Sequence, residues 1–153
     1  DTSNGLYALG VMQYRHEALL QAMSADALSK LLKFNSQDTS NMIYAFGLLS
    51  FKHQCLLDAA CKHISSRLAE YKSQEISNVV YTFGLLRFKQ DEFLQAVCLH
   101  ASTRLVEFNT QGLSNTVYGL GLLRFKDRPF LLAACSQASR RLPEFKMQEI
   151  SGF

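Results

Sequence analysis

Residues 37–51 read QDTSNMIYAFGLLSF, and the same line returns as QEISNVVYTFGLLRF at 74–88 and QGLSNTVYGLGLLRF at 111–125. Residues 2–14, TSNGLYALGVMQY, fall on 39–51 in the same register. Asn4, Asn41, Asn78 and Asn115 are therefore 37 residues apart, as are Tyr7, Tyr44, Tyr81 and Tyr118, and Gly10, Gly47, Gly84 and Gly121. Between 37–73 and 74–110, 18 of 37 positions are identical without a gap. A fixed period in the 20–50 range belongs to stacked-repeat architectures, which work through an extended surface rather than one pocket.

Within the quoted line the recurring residues stand at 37, 40, 41, 44, 47, 48 and 51, the i, i+3, i+4, i+7 spacing of one helix stripe. The spacing predicts a first helix over about 37–51, with Ser36, Ser73 and Thr110 placed as N-caps. A second helix is expected over about 54–71, with Leu57, Ala60, Cys61, Ile64, Leu68 and Tyr71 as its apolar stripe. Pro129 opens the counterpart of that helix, and Pro143 should end it early. Short connections make the two helices antiparallel neighbours. The predicted fold class is all-α, an α-solenoid of stacked antiparallel helix pairs. Units are expected to start near 37, 74, 111 and 148, with a partial unit over 1–36, as a fragment of a longer solenoid. Mid-helix Gly47 and its equivalents each cost about 1 kcal/mol against alanine. Repeating that cost implies close backbone approach, so leucine at Gly84 should overpack, whereas alanine there is expected to gain up to about 1 kcal/mol.

With 48% hydrophobic residues the chain carries enough apolar side chains for a continuous core. Its longest apolar stretches, such as 79–86, are too short to span a bilayer, so no membrane partner is expected. A net charge of +3 permits a nucleic-acid partner without demanding one. Cys61, Cys98 and Cys135 share one repeat position and read as small buried thiols in a reducing compartment. No phosphate-cradling loop or nucleophilic triad stands out, so no enzyme activity, small-molecule substrate, cofactor or metal is expected.

The pattern Phe34-x-x-Gln37-Asp38-x-Ser40-Asn41-x-x-Tyr44-Ala45-Phe46-Gly47-Leu48-Leu49 resembles the octotricopeptide repeat, and its unbroken 37-residue step is closer still to the heptatricopeptide relative. Tyr44, Tyr81 and Tyr118 stand where octotricopeptide units usually carry tryptophan, and the recurring Asn is replaced at Gly152. The resemblance implies an organellar RNA-binding protein, mitochondrial or alternatively plastid, acting in RNA processing, stability, translation or as an rRNA-binding component of the organellar ribosome. Its partners would be organellar mRNA or rRNA, with ribosomal proteins as further partners.

Helical-repeat RNA readers take about one base per repeat with two or three side chains. Base-reading candidates are the positions that vary beside the repeated stripe, Asp38/Glu75/Gly112 and Met42/Val79/Thr116, together with Asn41, Asn78 and Asn115. Two readings stand for each. The varying positions either select bases or drift on a solvated face. The asparagines either pair with base edges or bond the backbone of an adjoining repeat. The tyrosines, which could stack bases, are expected in the core. Arg15, Lys52, Lys89 and Lys126 align just beyond the first helix, with Arg87 and Arg124 two residues before. They form either a ridge for the RNA backbone or a set of cations complementing helix C-termini. Lys30, Arg67, Arg104 and Arg141 form a second row, neutralised in part by Glu70, Glu107 and Glu144. RNA binding along the solenoid is one expectation, and a protein-binding scaffold inside a large organellar assembly such as a mitochondrial ribosome is the alternative.

Overall fold

Each repeat folds into two α-helices closed by a 3-10 turn. The computed structural model describes residues 1–147 and Ile150. The unit expected near 148, with Gln148 and Gly152, lies outside the described residues. The helices are α1 (Thr2–Val11), α2 (Glu17–Lys30), α3 (Ser36–Leu49), α4 (Gln54–Ser65), α5 (Ser73–Leu86), α6 (Asp91–Ser102), α7 (Thr110–Leu122) and α8 (Arg128–Arg140). Among the described residues there is no strand. The architecture is all-α, of stacked antiparallel helix pairs in the manner of an α-solenoid. Two compact units divide the chain at Tyr71 and Lys72. In the first, α1 packs on α3 and α2 on α4; in the second, α5 packs on α7 and α6 on α8.

The helix starts differ from expectation by one residue. Ser36, Ser73 and Thr110 are the first helical residues, and the caps are Asn35, Lys72 and Asn109. Asn35 Oδ1 accepts from Asp38 N at 2.8 Å while the Asp38 carboxylate accepts from Asn35 N at 3.1 Å, a reciprocal capping box. Glu75 accepts from Lys72 N at 2.8 Å, and Asn109 Oδ1 accepts from Gly112 N at 2.6 Å. An asparagine one residue earlier satisfies the orphan amides, which leaves the hydroxyls for other uses. Ser73 Oγ, for instance, donates to the Glu107 carbonyl at 3.0 Å.

The first helices also stop two residues sooner than predicted. Gln13, Ser50, Arg87 and Arg124, all at one repeat position, take left-handed φ values of 54°, 49°, 57° and 52°. Beyond each, an amide returns to the helix five residues back, as from Phe51 N to Phe46 O at 2.9 Å and from Phe88 N to Phe83 O at 3.0 Å. This is a Schellman closure, and its expected apolar contact is present. Phe46 meets Phe51 edge-on at 5.3 Å, and Phe83 meets Phe88 at 4.9 Å.

Each second helix is shorter than predicted, ending by Ser65 rather than Tyr71 in α4. The chain then makes a 3-10 turn (Leu68–Glu70) that still buries Leu68 and Tyr71. Pro143 does not cause its helix to end early. It sits inside the 3-10 turn Leu142–Glu144, and the same turn occurs at Leu31–Lys33, Leu68–Glu70 and Leu105–Glu107, where there is no proline. Leu57, Ala60, Cys61 and Ile64 line the buried face as expected.

Histidines serve the second helices. His16 and His53 accept amides of Leu19 and Leu56 on Nδ1, the N-cap role that Gln90 and Asp127 fill in α6 and α8. Buried His63 places Nε2 3.1 Å from the Phe34 carbonyl, which only accepts, so that nitrogen carries the proton. Arg104 Nη1 lies 2.6 Å from His100 Nε2, so there the ring must accept. Burial, and then the Arg104 charge, hold the His100 pKa below the usual imidazole value. Cys61 and Cys98 are buried, and desolvation pushes both thiols up to about 12. Cys135, expected in the core, is exposed.

Close approach of the first helices runs through glycine. A Cβ on Gly10 would stand 2.9 Å from Ala45 Cα, one on Gly84 2.9 Å from both Cα and O of Gly119, and one on Gly119 2.6 Å from the Val80 carbonyl oxygen. Backbone atoms cannot step aside as a flexible side chain can. The expected gain from alanine at Gly84 is therefore reversed: even one methyl group meets backbone. Gly121, at the same repeat position, faces open space.

Gly84→Ala and Gly119→Ala should each lower stability by about 1–3 kcal/mol, while Gly121→Ala should raise it by up to about 1 kcal/mol. Thermal or urea melts of the three variants check both signs. A second expectation follows from His100. As pH falls below about 6.5 the unfolded chain takes up the imidazole proton before the folded one. The ring's contribution to stability is thus lost on acidification and regained above that range. Melts between pH 8 and 5 should show a shallower decline for His100→Gln than for the parent chain.

Candidate nucleic-acid interface

One face of every first helix is covered by neither its partner helix nor its neighbour. On α5 it carries Gln74, Asn78, Tyr81 and Leu85, at i, i+4, i+7 and i+11, which keeps them within one stripe. The stripe on α3 is Gln37, Asn41, Tyr44 and Leu48, that on α7 is Gln111, Asn115, Tyr118 and Leu122, and that on α1 is Asn4, Tyr7 and Val11. The glutamines are exposed, Asn41, Asn78 and Asn115 half-buried, and the tyrosines range from half-buried to 43% exposed at Tyr118. Within each unit the tyrosines stand side by side. Tyr7 and Tyr44 rings are 6.5 Å apart with planes at 32°, and Tyr81 and Tyr118 are 6.0 Å apart at 36°.

Tyr7 and Tyr118 are thus exposed and Tyr44 and Tyr81 half-buried, where core residues were expected. The helix buries Val80 and Phe83 on its opposite face, and Tyr81 is turned away from them. No hydrogen bond forms to the side chains of Asn41, Asn78 or Asn115 among the described residues, nor to the hydroxyls of Tyr7, Tyr44, Tyr81 or Tyr118. The structural reading of the asparagines, a bond to the adjoining backbone, therefore falls.

Met42, Val79 and Thr116 do not belong to this surface: they are 0%, 1% and 1% exposed. One residue of helix turns the chain by about 100°, so the position after each asparagine points inward. Thr116 Oγ1 donates to the Gly112 carbonyl at 2.8 Å inside the packed layer. Asp38 and Glu75 are half-buried with their carboxylates committed to capping. Of the base-reading candidates, the asparagines alone keep their hydrogen-bonding capacity.

The basic residues divide. Arg15 Nη1 donates to the carbonyls of Leu49 and Ser50 at 3.0 and 2.9 Å, pairs with Glu17, and lies over the Phe51 ring. Arg87 Nη1 donates to the Leu122 carbonyl at 2.8 Å. Both arginines complete the C-terminus of the next first helix along, where orphan carbonyls and the dipole favour a cation. Lys89 is 3.9 Å from Asp91, a loose exposed pair. Lys52, Arg124 and Lys126 are exposed. In the second unit Tyr118, Leu122, Arg124 and Lys126 line one open hollow of about 460 Å³, so an aromatic face and two cations border the same space. In the second basic row, Arg104 and Arg141 pair with Glu107 and Glu144 at 2.7 and 3.2 Å, whereas Lys30 pairs with Asp26 at 2.9 Å.

Stacked helix pairs presenting a repeated amide-and-tyrosine surface define a helical-repeat protein. The family model of the RNA-editing substrate-binding complex 6 protein (RESC6) matches residues 1–150, and the chain belongs to that family. No curated protein matches the chain. The family bears out the resemblance drawn from the repeat at the level of an RNA-associated helical protein and does not single out octotricopeptide or heptatricopeptide units. No helix among the described residues is long and apolar enough to cross a membrane.

Because the Asn78 side chain bonds nothing among the described residues, Asn78→Ala should leave stability within about 0.5 kcal/mol of the parent, or raise it slightly through helix propensity. A urea melt decides it. A loss above about 1 kcal/mol, the usual worth of an intramolecular hydrogen bond, would restore the structural role.

Proposed function

We propose that the chain is an RNA-binding helical-repeat subunit of an RNA-editing substrate-binding assembly in the mitochondrion. Family membership carries this reading: the RESC6 name itself describes a component of a complex that binds the substrates of RNA editing, and proteins of such complexes are associated with mitochondria in kinetoplastids. The surface supports it, with asparagine amides and tyrosine hydroxyls that bond no group among the described residues and with exposed lysines beyond the same helices. The function is binding without catalysis. Family membership lends nothing to the plastid alternative or to ribosomal proteins as partners.

Lys52, Lys89 and Lys126 give the reading its electrostatic test. Each phosphate contact to a single strand releases about 0.7 counterions. Lys52→Gln, Lys89→Gln and Lys126→Gln combined should therefore lower the log–log salt slope by about 2 and weaken all sequences alike, since phosphate contacts carry no base information. Gel shifts or anisotropy titrations with single-stranded RNA over a range of salt concentrations measure the slope. A protein-binding scaffold would show only weak RNA binding that the triple variant leaves unaltered.

A further inference from the structure

We propose that the uncovered face of each unit is a sequence-tolerant track for single-stranded RNA, on which bases stack against the paired tyrosines and no repeat selects a particular base. The inference rests on the RNA-binding reading above and specifies how that surface holds its ligand.

The argument is positional. A base-by-base code needs exposed side chains that differ from repeat to repeat. Here the residues displayed outward are the same each time: Gln37, Gln74 and Gln111; Asn41, Asn78 and Asn115; Tyr44, Tyr81 and Tyr118. The neighbouring residues that do differ are withdrawn from the ligand. Met42, Val79 and Thr116 are buried, and Asp38 and Glu75 cap their own helices. An amide side chain offers one donor and one acceptor group, and the pairing edge of every RNA base presents both kinds, so a single Asn contact is compatible with all four. A tyrosine face is tolerant for the same reason, because every base has a π-face.

Ring geometry supports stacking. Tyr81 and Tyr118, 6.0 Å apart and tilted by 36°, lie next to each other on the same surface, and Tyr7 and Tyr44 do so at 6.5 Å and 32°, so each unit offers a base a pair of neighbouring rings to stack on. Arg124 and Lys126 are exposed just past the end of the helix that carries Tyr118, where cations can meet the phosphates of a bound strand. Duplex RNA buries its bases against one another and offers nothing to the rings. The track should therefore discriminate strandedness rather than sequence.

The test uses the full chain and fluorescence anisotropy with oligo-U, oligo-A, oligo-C, a mixed strand and a matched duplex. The single strands should bind within about tenfold of one another, and the duplex more weakly. Tyr81→Ala and Tyr118→Ala should each weaken every single strand by about fivefold or more, while Tyr81→Phe, which keeps the ring, should stay within about twofold. Tyr81→Leu keeps apolar bulk on the helix and serves as a second ring-less variant, with melting curves verifying the fold. A 2-aminopurine strand should change its fluorescence on binding the parent and the phenylalanine variant, and much less on binding the leucine variant. If the strands bind with the lysine-dependent salt slope but the ring-less variants match the parent in affinity and 2-aminopurine signal, the track is overturned while RNA binding stands. A preference above about a hundredfold for one sequence also overturns it, in favour of a base code. Absence of binding to every strand overturns both readings.

Discussion

The structure depends on first helices meeting backbone to backbone. At Gly84 the next helix lies so near that an added Cβ would stand 2.9 Å from Gly119 Cα, and Gly10 meets Ala45 at the same distance. Glycine in mid-helix is unfavourable by about 1 kcal/mol, and its recurrence follows from this contact. The contact also determines what the surface displays. Tyr81 and Tyr118 precede and flank the two members of the Gly84–Gly119 contact, so helices held that close must set the two rings within 6.0 Å of each other. With a side chain in the contact the helices would separate, and the tyrosines would become isolated residues.

Much of this was legible in the sequence. The 37-residue step and the i, i+4, i+7 stripe gave two helices per repeat, and the mid-helix glycines pointed to close approach. Local end chemistry was less legible. Asn35 and Asn109 compete with Ser36 and Thr110 for the cap, and nothing in composition decides between adjacent cap-forming residues. The left-handed closure is taken by Gln13, Ser50, Arg87 and Arg124, residues that give no glycine signal. It holds because Phe51 and Phe88 fold back onto Phe46 and Phe83. A clue was present but unused in the histidines: His16 with His53, and His63 with His100, keep the 37-residue step. Recurrence of that kind points to structural roles, as the caps and the Phe34 contact bear out for the first three.

The candidate site was harder to read because its two signals conflict with habit. Aromatic residues at helical spacing suggest a core, yet the stripe bearing Tyr81 also bears Gln74 and Asn78, which a core would have to satisfy. Met42, Val79 and Thr116 suggested a reading surface because they vary, although one step of helix rotation carries them inward. The cations do not all share one role. Arg15 and Arg87 bond the carbonyls that end neighbouring helices, the complement to the helix dipole. Lys52, Arg124 and Lys126 are exposed just beyond their own first helices.

Variation along the repeat then acquires a different meaning. At one repeat position the chain carries Ala45, Thr82 and Gly119, of which Ala45 meets Gly10 and Gly119 meets Gly84. The smallest of these lies against Gly84, in the contact where backbone meets backbone on both sides. Within the first helices, differences between repeats thus fall mainly on buried positions, where helices pack. The outward Gln, Asn and Tyr stay constant, as a ligand with a uniform chemical period requires. A polynucleotide has such a period in its phosphates and in the stacking faces of its bases, but not in its base edges. A surface that repeats without changing is suited to the first two features and indifferent to the third.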